Sequence, residues 1–76
     1  MNNPRLVFAH NLRRARERGG LSQRAVMCVS GVSQARISGI EAGKINSGID
    51  TMIRLANAVS QPLWQMFKPG EEGTDA

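Results

Sequence analysis

An all-α fold of five short helices is what this 76-residue sequence predicts, and three observations carry it. Apolar residues recur at helical rather than strand spacing in each ordered-looking segment. Two serines, Ser22 and Ser33, stand where helix N-caps are wanted, each one residue after an apolar side chain and four before another. Gly and Pro residues divide the remainder into pieces too short for anything but single helices.

In chain order, Asn3-Pro4 opens the first helix, since Asn caps well and Pro at the first helical position lacks only an N–H that would be unpaired anyway. Leu6, Phe8, Ala9, Leu12, Ala15 and Arg16 follow at helical spacing, with Phe8, Leu12 and Ala15 facing inward and Gly19-Gly20 as the stop. His10 falls on the face opposite Phe8 and is expected at the surface. A second helix runs from Gln23 to about Val29 and a third from Gln34 to about Ala42. The serine caps satisfy first-turn N–H groups. The pairs Leu21/Val26 and Val32/Ile37 are hydrophobic staples that fix how the chain enters each helix. Gly31 and Gly43 fall where a left-handed closing residue is needed. A fourth helix, about Ile49 to Val59, lines up Met52, Leu55, Ala56 and Val59. Pro62 starts a last short helix, Leu63 to Phe67, which Pro69-Gly70 ends.

The central arrangement is therefore helix, glycine turn, helix, a form whose second helix can enter a DNA major groove. The third helix has only Ile37 and Ile40 as large apolar residues, which leaves Gln34, Ala35, Arg36 and Ser38 for another surface. Leu21-Ser22-Gln23, Gly31-Val32-Ser33 and Ile37-Ser38-Gly39-Ile40-Glu41-Ala42-Gly43 resemble the Cro/phage-repressor (XRE-type) helix-turn-helix family. Asn11-Leu-Arg-Arg-Ala-Arg16 and Ile49-Asp-Thr-Met-Ile-Arg-Leu-Ala-Asn-Ala-Val59 continue the likeness, so that it covers Phe8 to Phe67. The resemblance implies a five-helix lambda-repressor-like DNA-binding domain over residues 1–67. Met27 departs from the family's usual small alanine, Cys28 and Val29 from usually polar positions, and Gly48 from a frequent serine cap.

Composition narrows the function. Residues 1–67 hold nine Arg and Lys against Glu17, Glu41 and Asp50, a net +6, whereas 68–76 set Lys68 against Glu71, Glu72 and Asp75. A basic body with an acidic, Gly-containing end suggests a polyanion-binding domain and a disordered tail, although charge alone does not separate nucleic acid from acidic lipid. One cysteine excludes an internal disulfide and fits a reducing compartment. With no membrane span and no signal-peptide core, a soluble cytoplasmic chain is expected. No carboxylate pair or metal-ligand cluster is evident, and His10 and Cys28 lie on different helices, so no enzyme, cofactor or metal site is expected.

Site assignments follow from the resemblance and from side-chain chemistry together. Gln34 can pair bidentately with adenine, Ala35 can touch a thymine methyl, Arg36 can take guanine or a phosphate, and Ser38 discriminates weakly. Phosphate contacts fall to Ser22, Gln23, Arg24, Ser33, Lys44 and Asn46, with the N–H groups at Gly48 and Ile49 beside them. In the family an arginine at the place of Arg16 pairs with a glutamate at that of Glu41, which implies a structural ion pair. Five residues of helix give Leu63, Trp64, Met66 and Phe67 too many directions to bury them all, so Leu63, Trp64 and Phe67 are expected in a dimer interface. The whole implies a homodimeric, sequence-specific transcriptional regulator on a palindromic operator, like Cro-type repressors or restriction–modification controller proteins, with RNA polymerase a further partner. The alternative is an antitoxin that binds DNA and a toxin protein, the latter through Val29 or Trp64.

Overall fold

The computed structural model describes residues 3–69. It holds four α-helices, α1 (Pro4–Arg18), α2 (Gln23–Ser30), α3 (Gln34–Glu41) and α4 (Ile49–Ala58), followed by a 3₁₀ helix (Leu63–Phe67), and no strand among the described residues. The fifth element thus differs from the α-helix expected. Its five residues sit between Pro62, in extended conformation, and Lys68, also extended, so only a tight single turn fits. The acidic stretch 70–76 lies outside the described residues, and with it most of the expected tail.

Capping explains the helix starts. Asn3 accepts from the Arg5 N–H at 2.9 Å, Ser22 from Ala25 at 3.0 Å and Ser33 from Arg36 at 3.2 Å. Gly48 leads into α4 with no side-chain cap, leaving that helix's first-turn donors open. At the ends, Gly20, Gly31 and Gly43 take left-handed φ of 70°, 78° and 75°. Around Gly43 the Lys44 N–H returns to the Gly39 carbonyl at 2.9 Å and the Gly43 N–H to that of Ile40 at 3.0 Å, the paired bonds of a Schellman turn. The same pattern closes α4 through Ser60, which reaches φ 61° with a side chain attached.

The core draws from every element: Phe8 and Leu12 of α1, Val26 of α2, Ile37 and Ile40 of α3, Leu55, Ala56 and Val59 of α4, and Met66 of the 3₁₀ helix. Burying side chains of this size stabilises by about 1.5–3 kcal/mol each, enough for a small domain to offset its ordering entropy. Met27 is partly buried and packs against this cluster, so the core accommodates the bulkier side chain. Asn11 fastens the last described turn by donating to the carbonyls of Met66 at 2.8 Å and Lys68 at 2.9 Å. Phe67 stacks at 5.5 Å and 41° on Phe8. No described helix is long and apolar enough to cross a membrane.

Candidate nucleic-acid interface

Helix α3 has two unlike faces. Ile37 and Ile40 are fully buried, whereas Gln34, Ala35, Arg36 and Ser38 are all exposed. At 3.6 residues per turn these four occupy the side and crest turned from the core, so the exposed face carries two long polar groups, a methyl and a hydroxyl. Burial of the two isoleucines holds that face outward. Ile37 also completes the staple with Val32, which ties the exposed first turn to the turn before it.

A polar clamp sets the helix axis from the other end. Arg16 of α1 donates through Nε to Glu41 Oε2 at 2.7 Å and through Nη2 to Oε1 at 3.0 Å. Its Nη1 donates to the Leu21 carbonyl at 2.9 Å. The side chains are 12% and 5% exposed, and the Glu41 hydrogen bond, ahead of its charge, raises Arg16 above its ordinary pKa while burial opposes it. Gln23 joins the clamp: its amide donates to Glu41 Oε1 at 3.1 Å. One of its two amide hydrogens is therefore engaged within the protein.

The remaining residues assigned to phosphate contact lie on the segments that precede and follow α3 in the chain. Ser22 and Ser33 accept from backbone N–H groups through their oxygens, and each keeps its own O–H to donate. Arg24 is exposed on the first turn of α2. Lys44 and Asn46 are exposed on the loop after α3, beside the uncapped start of α4. Arg5, which the motif pattern did not single out, reaches this loop from α1 with its Nη1 3.4 Å from Asn46 Oδ1, adding a cation there.

The 3₁₀ helix divides its apolar groups. Met66 is buried, Leu63 and Phe67 pack partly against the domain's own core, and Trp64 stays 67% exposed. Val29 and Cys28 of α2 are exposed as well, and so is His10. Among the described residues no group of three His, Cys, Asp or Glu side chains stands close enough to hold a metal.

Comparison with known proteins agrees with this geometry. A family described as "Helix-turn-helix domain" matches residues 7–62. No curated protein sequence gives a significant match. Among solved structures, the restriction-modification controller protein C.AhdI from Aeromonas hydrophila superposes with a TM-score of 0.79 at 28% identity, over 83% of this chain and 96% of that one. A hypothetical transcription factor, NHTF, from Neisseria gives a TM-score of 0.86 at 25% identity, over 96% of this chain and 84% of that one. The matched span contains α2, α3 and the Arg16–Glu41 clamp, and the fold is shared nearly end to end. The chain belongs to the XRE-type helix-turn-helix family.

Proposed function

We propose that this protein is a sequence-specific regulator of transcription that binds duplex DNA as a cytoplasmic homodimer, each copy reading half of a palindromic operator. One observation carries the reading: α3 is anchored by Ile37, Ile40 and the Arg16–Glu41 clamp while Gln34, Ala35, Arg36 and Ser38 face away from the protein. A helix held rigidly with hydrogen-bonding groups outward suits base reading in a major groove. Likeness to a restriction-modification controller and to a transcription factor supports a regulatory role. Phosphate binding is assigned to Ser22, Arg24, Ser33, Lys44, Asn46 and Arg5, with Gln23 bracing α3 and contributing its remaining polar atoms. Two copies are needed because one short helix spans too few base pairs to be selective. Exposed Trp64 is the proposed centre of their contact, with Leu63 and Phe67 at its edge.

Selection of binding sites from random duplexes, followed by titration against salt, tests this directly. The expected result is a dyad-symmetric consensus bound with a log–log salt slope of about −5 to −9 for the dimer. No consensus, or binding indifferent to salt, refutes it. A second reading, an antitoxin, draws on exposed Val29 of α2. It requires a small partner protein that co-purifies with the full chain and is released by Val29→Asp.

A further inference from the structure

Glycine within an eight-residue helix is destabilising relative to alanine, so Gly39 needs a reason. The neighbouring loop supplies one. A methyl group placed on Gly39 would collide with Ile45 Cδ1 and come within 2.7 Å of its Cγ1. The backbone holds Ile45 in that position, since the N–H groups of Lys44 and Ile45 both return to the Gly39 carbonyl, at 2.9 and 3.3 Å. The isoleucine is half-buried: it leans on the core cluster and keeps part of its surface exposed.

Its position relative to α3 matters most. At about 100° per residue, Gly39 lies about 50° from the direction opposite Ile37 and Ile40, and one turn beyond Ala35. The side chain missing at Gly39 is thus replaced, on the same outward side of the helix, by an aliphatic group from the loop. Eight helical residues span about 12 Å, close to the width of the B-DNA major groove, so both turns of α3 fit within it.

We infer that Ile45 is a further base-reading residue, set over Gly39 so that its methyl group meets the C5-methyl of a thymine in the major groove. The inference rests on the DNA-binding reading above. Apolar contact is how a protein recognises that methyl, and a β-branched side chain with few rotamers and two backbone hydrogen bonds beneath it keeps the contact in register. Lys44, one residue earlier and exposed, would hold the adjacent phosphate and limit how far the loop can shift.

The test removes methyl groups from DNA rather than from the protein. Each thymine of the selected operator is replaced in turn by deoxyuridine, which deletes the C5-methyl and keeps all base pairing. Wild-type chain should lose about fourfold in affinity at one thymine of each half-site through Ile45, the effect of one buried carbon. Ile45→Ala should bind thymine and uracil alike at that position while remaining sensitive at any thymine read by Ala35. Ile45→Val, which deletes only Cδ1 and preserves the fold, should narrow the difference. If the wild-type operator tolerates uracil everywhere, or if the same thymine stays discriminated in both variants, Ile45 is not a reader. Those results leave selective duplex binding intact, whereas failure of the wild-type chain to select any duplex overturns the DNA-binding reading and this inference together.

Discussion

Arg16 and Glu41 meet fork to fork, Nε on Oε2 at 2.7 Å and Nη2 on Oε1 at 3.0 Å, across 25 residues of sequence. Almost no water reaches the carboxylate, so the charge is satisfied wholly by Arg16 and the Gln23 amide. A pair this deep is costly to break from one side, although its net contribution over an apolar pair is small. Glu41→Ala should lower unfolding free energy by about 3 kcal/mol in urea titration, and Arg16→Met with Glu41→Leu should recover much of it. The double variant should nevertheless bind operator less tightly, because orientation of α3 would rest on packing alone.

The same pair sets an expectation for pH. Glu41 raises Arg16 above its ordinary pKa, and a raised cationic group stabilises fully below its unfolded value, losing that contribution only as pH rises through the folded one. Arginine's ordinary value is already strongly alkaline. Arg16's own contribution to stability should therefore be flat from pH 7 to 10. A wild-type minus Arg16→Met difference that declines over this interval would contradict it.

Gln34→Ala should cost roughly 1–3 kcal/mol on the selected operator and relax preference at one base pair per half-site. Lys44→Ala should weaken operator and random DNA alike and make the salt slope shallower. Competition with single-base operator variants separates the two, since a reader and a phosphate contact differ only in what they discriminate.

Ser60 closes α4 at φ 61°, a region where a Cβ costs about 1 kcal/mol. Ser60→Gly should raise stability by about 0.5–1 kcal/mol without touching DNA binding, visible as a shift in the urea midpoint at constant slope. No gain would mean that the serine hydroxyl offsets the strain.

Trp64→Ala should preserve helical content and move sedimentation toward monomer, with loss of cooperative operator binding. The exposed ring makes little contact with its own core, so unfolding is not expected. A variant that remains dimeric would place the interface elsewhere.

How far the sequence foretold these features depends on the range of the forces involved. Ser22, Ser33, Gly31 and Gly43 act within a few residues, so their caps and turns could be read directly. The inward pair Ile37 and Ile40 follows from helical period alone. The place of Arg16 opposite Glu41 was suggested by family resemblance, since no local rule joins residues so far apart. Other contacts had no signal. Asn11 binding the carbonyls of Met66 and Lys68 and Ile45 covering Gly39 are both products of tertiary packing. The end of α4, expected near Val59, falls at Ala58 with Val59 as its cap, although the left-handed turn at Ser60 lacks the usual glycine. The 3₁₀ form of Leu63–Phe67 goes with extended backbone at Pro62 and Lys68, and the Lys68 end is held by Asn11, 57 residues away in sequence.

That clamp has a consequence for the operator. Asn11 joins the turn bearing Trp64 to α1, and Arg16, barely more than one helical turn onward, joins α1 to α3. The turn bearing Trp64 and helix α3 are thus both tied to α1, which acts as a strut between them. In a dimer built through Trp64, nothing between the contact and the reading face can bend to accommodate a longer gap between half-sites. Inserting one base pair at the dyad turns the second half-site by about 34° and moves it by about 3.4 Å. The protein cannot follow, so the DNA must untwist or one half-site must be released. Spacer length should accordingly be discriminated as sharply as sequence, and Asn11→Ala should soften that discrimination while leaving each half-site's preference unchanged.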